Sequence, residues 1–406
     1  MKRPSSLRAV EWLNFFLADV QTGLGPFLAA YLAASRWNPG RIGFALTFGG
    51  LVTVLMQTPA GALVDAVHRK RVLLATSLAV LVGGAFLLMG PLTTFSVYSA
   101  QVLIGGAAPF LAPTVAAITL GIIGAKGFDR QFGRNQAFNS AGNVFAALLI
   151  AFVSYTFGYR TIFLVAALLA IPAAISIFAV DAKQIDYARS RGAKIAGDKT
   201  GGDKPQTEGL GALLKDRALL FFLAAAFLFH LSNAAMLPQL GELLAHGNPK
   251  AAAPFMSACI IVTQIVITIS AAWIGRRAAN GRKPLLLIGF GVLPIRGLLY
   301  TLTHATAALI AIQILDGVAN AIFVVVSILV IADLTRGTGR FNLAAGALAT
   351  MVGIGAALSA TVGGQIIQHA GFSASFLGLA AIAVVAFALL WLAVPETSGP
   401  LLRTET

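Results

Sequence analysis

The chain has 406 residues, of which 58% are hydrophobic and 11% charged, with a formal net charge of +14. Charges this sparse cannot cover a water-soluble globule of this size, so the surrounding solvent is expected to be lipid. A positive excess would suit nucleic acid in a soluble protein, but where these charges fall excludes nucleic acid as a partner and points to membrane topology instead.

A helix needs about 20 apolar residues to cross a bilayer. Twelve such spans are expected, at 9–33, 41–63, 71–91, 95–121, 133–155, 160–180, 218–243, 252–275, 284–303, 306–332, 341–366 and 373–394. Their lengths exclude a β-barrel, whose strands would alternate over about ten positions. With the N-terminus inside, 24 Lys and Arg fall on cytoplasmic segments against 4 outside (Arg36, Arg41, Arg160 and Lys250), and Arg296 lies within a span. The positive-inside rule then places both termini in the cytoplasm, and Trp12, Trp37, Trp273 and Trp391 near span ends read as interfacial anchors. Lys2, Arg3 and Arg8 ahead of an apolar run imitate a signal peptide, yet the run is span-length and eleven others follow it, so it is read as a retained first helix.

An ionisable side chain in hydrocarbon is costly unless it faces protein or water, which makes each one a functional candidate. In the first span Asp19 lies about ten residues in, near mid-depth at about 1.5 Å per residue. It reads as a carboxyl that alternately binds a proton and a substrate or cation, or else as a structural carboxylate held by Asn14 or Gln21. The second span runs into Gly61-Ala-Leu63-Val-Asp65-Ala-Val-His68-Arg69-Lys70-Arg71, where apolar residues give way to a basic turn. In the fourth span stands Gln101-Val-Leu-Ile-Gly105. Asn135, Asn139 and Asn143 recur every fourth residue in the fifth, with Gln136 beside them, so the three share one helix face. Amides toward lipid would be unsatisfied, so that face is expected to line a cavity, interhelical packing being the other use.

Residues 181–217 mix charge with Gly and Pro and are expected to be a flexible cytoplasmic linker. Beyond it, His230, Asn233 and Pro238 follow one another in the seventh span. His230 can relay protons, or is a hydrogen-bonded packing residue. Glu242 near the outer end is expected at the interface. Cys259 in the eighth span reads as packing and leaves no disulfide; Gln264, at mid-depth, joins the polar lining. Arg296 in the ninth span and Asp316 in the tenth lie about 12 and 18 Å from the turn that joins them. An ion pair is expected, structural or a coupling switch, because either charge alone would be expensive. In the eleventh, Gly346, Gly353, Gly355, Ser359, Gly363 and Gly364 let helices approach closely, for sliding or for tight packing.

The halves repeat. Pro26 answers to Pro238 and Gln101–Gly105 to Gln313–Gly317 at an offset of 212, and Arg69-Lys70 to Arg282-Lys283 in Gly281-Arg282-Lys283 at 213. Two six-helix halves with a site between them at the midplane is transporter architecture. The domains are accordingly 1–180, a linker at 181–217, and 218–406. No phosphate loop and no His/Cys cluster with metal-ligand spacing is present, so neither an enzyme, a cofactor nor a metal is expected.

These features resemble the major facilitator superfamily over essentially the whole chain. Gly61, Leu63, Asp65, Arg69 and Lys70 are similar to its loop signature Gly-x-Leu-x-Asp-x-x-Gly-Arg-Lys, while Ala66 and His68 replace a usual basic residue and a usual glycine. Gly158-Tyr-Arg160-Thr-Ile-Phe163 and Pro395-Glu-Thr397 add to the likeness. The resemblance implies an all-α membrane protein of twelve helices in two pseudo-symmetric bundles, with Gly61, Asp65, Arg69 and Lys70 at a cytoplasmic gate. Gln101 stands where proton-driven members often carry Arg, and Gly142-Asn143-Val-Phe-Ala146-Ala147 lacks the proline of many exporters, so the chain departs from the drug/proton antiporter pattern.

The expected function is secondary active transport of a small organic solute by alternating access, coupled to protons, by a monomer in the plasma (inner) membrane. Asp19, Asp316 and His230 are the proton-coupling candidates; Asn139, Asn143, Asn233, Gln264 and Arg296 are the cavity candidates. Export is preferred on the resemblance alone. Uptake of an organic anion by proton symport is the alternative, given Arg296 and His230. A receptor or scaffold that moves no solute is the reading from another class.

Overall fold

The computed structural model describes residues 5–22, 24–190, 216–278, 280–336 and 340–397, without the side chains of 19–22, 24–26, 125, 126, 129, 188 and 342. All regular structure among these residues is helical. Most of the expected linker, 191–215, lies outside them.

The first span is described over Ser5–Thr22 and Leu24–Ala34, helical on both sides of residue 23. Pro39–Ala66, Lys70–Met89, Thr94–Ile123, Ala125–Phe157 and Thr161–Ala179 follow as spans two to six. The seventh is divided, into Arg217–Asn233 and Met236–Gly247. Pro238 explains this break, because a proline ring clashes with the carbonyl four residues earlier, here that of Ala234. The amide of Ala235 freed at this point donates to Ser359 Oγ at 2.9 Å, so the break carries no orphan there. Pro249–Ala278, Lys283–Leu302 and Thr306–Leu334 are spans eight to ten. Spans eleven and twelve form Phe341–Ala393, interrupted only at Gly371, whose φ of 85° and ψ of 173° turn the chain sharply between them. Among the described residues ten segments, the last covering two spans, are long and apolar enough to cross a membrane, and with the first span they make up the twelve.

Two compact units result. One comprises Met1–Trp37, Phe48–Gly201 and Gly241–Ser257; the other comprises Asn38–Thr47, Gly202–Leu240 and Ala258–Thr406. In the first, Leu13 and Leu17 pack with Leu74, Leu78, Leu111, Val115 and Ala173. Spans one and five touch almost backbone to backbone: a Cβ on Gly142 would lie 2.0 Å from the Phe15 carbonyl oxygen. The second unit is built around aromatic rings, with Phe229 4.7 Å from both Phe290 and Phe323. Its small residues work in the same way, since a Cβ on Gly355 would lie 2.4 Å from the Phe227 oxygen and one on Gly364 2.5 Å from that of Pro39. Thr361 Oγ1 donates to Thr47 Oγ1 at 2.7 Å, and Thr47 Oγ1 donates in turn to the Ala357 carbonyl at 2.6 Å. Gly355, Ser359 and Gly364 are therefore tight packing points in this structure, whereas a Cβ on Gly346 would meet nothing within 4 Å.

Candidate functional site

The second unit buries a charged network. Arg296, 0% exposed, donates through one terminal nitrogen to Asp316 Oδ1 at 2.7 Å and to Asn233 Oδ1. Its other terminal nitrogen donates to Gln313 Oε1 at 3.1 Å and its Nε to the Tyr300 hydroxyl at 2.8 Å. Four of the five guanidinium N–H bonds are thus spent. Gln313 Nε2 closes the ring by donating to Tyr300 at 2.7 Å. Asp316 is equally well held: Oδ1 also accepts from Asn320 Nδ2 at 3.0 Å, and Oδ2 accepts from Thr263 Oγ1 at 3.2 Å.

Local geometry explains much of this. Tyr300 lies four residues after Arg296, and Asn320 four after Asp316, so each supports its partner along one helix face. Asn233 is the last residue of Arg217–Asn233 and thus sits at the break in the seventh span. Tyr300, Gln313, Thr263 and Asn320 carry no charge, and reading ionisable groups alone passes over them. The spacing of four residues was the available signal for two; the others depend on which helices face each other.

The expected pairing of Arg296 with Asp316 is present. His230 does not join it: its ring stands edge-on to Phe323, 4.8 Å between centres, and its Nε2 makes no hydrogen bond among the described residues. Gln264, half-buried next to Thr263, also stays outside the network. The side chain of Asp19 lies outside the described residues.

In the first unit the asparagine face divides. Asn135 is buried and locked, donating to Thr119 Oγ1 at 3.1 Å and accepting from Gln131 Nε2 at 3.0 Å. Gln131 also donates to Glu11, whose Oε1 receives Arg134 Nε at 2.8 Å. This buried cluster was not anticipated. Asn139 and Asn143 stay half-buried: Asn143 Nδ2 donates to Asn139 Oδ1 at 3.3 Å, and Asn139 Nδ2 donates to the Asn14 carbonyl at 3.4 Å. Glu242, expected at the interface, is only 3% exposed, and its Oε2 has no partner among the described residues.

At the loop after the second span Asp65 and Arg69 are exposed, and neither forms an ion pair among the described residues. Lys70 is different, 1% exposed with Nζ 2.6 Å from the Val64 carbonyl. A Cβ on Gly61 would meet nothing within 4 Å, so no close contact accounts for that glycine. At the equivalent loop of the second half, Glu396 accepts from the amides of Arg282 at 2.8 Å and Lys283 at 3.0 Å, an acidic cap on a helix N-terminus. Asp333 holds Arg282 and Arg336, each at 3.1 Å.

The family model of the Major Facilitator Superfamily matches residues 12–303 and 275–405. The chain is 43% identical over 398 residues to the uncharacterized MFS-type transporters Rv2456c and MT2531 of Mycobacterium tuberculosis, strains H37Rv and CDC 1551. The match covers 97% of this chain and 94% of each relative. Among solved structures it is similar to the nucleoside transporter NupG, with a TM-score of 0.73 at 17% identity covering 95% of this chain and 97% of that one. It is also similar to a bacterial homolog of the human lysosomal transporter Spinster, with a TM-score of 0.74 at 12% identity covering 97% and 98%. An all-helical, multi-pass chain that the family model matches along nearly its whole length, with such relatives, is a secondary transporter: the chain belongs to the major facilitator superfamily.

Proposed function

We propose that the protein moves a small organic solute across the plasma membrane in exchange for protons, with the Arg296–Asp316 pair as the coupling switch. The observation that carries this reading is the buried pair and its link to the broken seventh span: Arg296 bonds Asp316 and, through the same nitrogen, Asn233 at the helix break. Protonation of Asp316 removes half of the charge pair. Arg296 must then redistribute its donors, and the bond to Asn233 is the one that ties this change to a break able to bend. A ligand-dependent shift needs only differential stabilisation of two arrangements.

Asp19 serves as the proton carrier in the first half, with His230 as a relay, while Asn139, Asn143 and Gln264 supply hydrogen bonds to the solute. The Arg296 charge is already matched by Asp316, so an organic anion would have to displace a bonded carboxylate. A neutral or cationic solute meets no such cost, which supports an uncharged or basic solute over an organic anion; export is preferred on the family resemblance alone. The solute, protons and the bilayer are the partners, and a monomer suffices.

Purified protein in liposomes with an imposed pH gradient, offered organic anions, cations and neutral solutes, tests this. Gradient-driven movement of a neutral or cationic solute is expected. Movement indifferent to the pH gradient would remove proton coupling, and anion-selective transport would restore the symport reading.

A further inference from the structure

The second span ends without the usual device. Helices commonly finish on a left-handed residue, mostly glycine, whose turn supplies N–H groups to the last carbonyls. Between Gly61 and Arg71 no residue has positive φ, and His68 stands in the loop. The carbonyls are satisfied one by one in another way. Leu63 accepts from the Val67 amide at 2.9 Å, and Val64 and Val67 accept from Lys70 Nζ at 2.6 and 3.4 Å. Asp65 and Ala66 share the hydroxyl of Tyr187, at 3.2 and 2.8 Å, a residue 121 positions beyond Ala66. The Tyr187 ring also stacks on His68, 3.5 Å between centres and 13° from parallel, with the Lys70 ammonium 5.4 Å from the ring centre.

The segment that delivers Tyr187 is itself tied down. The Asp181 amide donates to Ser6 Oγ at 3.0 Å, Arg71 donates to the Val180 carbonyl, and the Asp186 amide donates to the Gly121 carbonyl at 3.1 Å. A Cβ on Gly121 would lie 2.9 Å from Ile185, so the fit is close. Residues 180–190 therefore touch the cytoplasmic ends of spans one, two, three and four.

We propose that this stretch is a clasp and Tyr187 a positioning residue: it caps the second span from outside in place of a glycine at 68, and so holds the loop that carries Asp65 and Arg69. Only the last step, that the held loop serves a gate, rests on the transport reading above. The capping stands apart from it.

Hydrogen exchange on the full chain in detergent is the test, with peptides over 290–320 and a monodisperse elution profile as folding controls. Tyr187→Ala should speed exchange across 63–73 by about threefold to tenfold, since exposed ends recover part of the loss through water. Tyr187→Phe keeps the stack and loses the hydroxyl, so it should fall between. His68→Gly added to Tyr187→Ala should bring protection back, because glycine can close the helix alone. Unchanged exchange in Tyr187→Ala would overturn the clasp, and failure of His68→Gly to restore protection would overturn the replacement of glycine. A cysteine at exposed Ala62 separates the gate: faster labelling in Tyr187→Ala supports it, whereas faster exchange with unaltered labelling sinks the gate step and leaves the cap.

Discussion

Arg296 and Asp316 set the residue scale. Each is buried and each neutralises the other, with Asn233, Gln313, Tyr300, Thr263 and Asn320 completing the bonding. Removing one member strands a charge, so Arg296→Ala or Asp316→Ala should each destabilise the protein in detergent by about 3–5 kcal/mol. Replacing both with apolar residues should recover much of that loss, although not all. Asn233, Asn320 and Thr263 lose an acceptor or donor in the double variant, whereas Gln313 and Tyr300 still bond each other at 2.7 Å. Thermal unfolding of the three variants measures this, and the cycle gives the coupling. Transport on the same samples decides the role: a stable, inactive double variant fits the switch, while a stable, fully active one removes the pair from the mechanism. Asp19→Asn belongs to the same scale. It should abolish proton-driven accumulation and leave solute exchange measurable, because an amide hydrogen-bonds but releases no proton; lost binding with unaltered coupling would refute the carrier role.

Among the elements, helix approach is set by glycine. Gly142 admits the Phe15 carbonyl to 2.0 Å from where a Cβ would stand, and backbone cannot give way as a flexible side chain does. Gly142→Val should cost about 1–3 kcal/mol by overpacking, and more if spans one and five must separate; Gly61→Val, with nothing within 4 Å of its Cβ, serves as the silent control. Equal melting temperatures for the two would refute the account. The loop after the second span carries another test. Asp65 is exposed and forms no ion pair among the described residues. If it bonds a partner only in another state of the cycle, Asp65→Asn should shift the population toward a more accessible cytoplasmic face and lower turnover more than affinity. Cysteine labelling from the cytoplasmic side should rise, and an unmoved labelling rate would show that Asp65 has no gate role.

At the scale of the molecule, charge sets orientation. With 24 basic residues expected on one side and 4 on the other, a cysteine at exposed Arg36 should label only from outside and one at exposed Lys183 only from inside, in a Cys259→Ala background. Labelling of both from one side would overturn the topology.

Span number and helical class were legible in the sequence because they depend on a one-dimensional quantity, apolar run length against bilayer thickness, while the side on which Lys and Arg accumulate gives the expected orientation. The Arg296–Asp316 pair was legible too, since two opposite charges on consecutive antiparallel spans have few other ways to be neutral. Tertiary structure alone decided the rest. Which uncharged side chains complete the network, that Asn135 is locked by Thr119 and Gln131 while Asn139 and Asn143 stay half-buried, and that Tyr187 in the expected linker caps a helix 121 residues earlier all depend on which surfaces meet. Hydrogen-bonding partners distant in sequence leave no periodic trace, because an amide or a hydroxyl bonds whatever packing brings within reach.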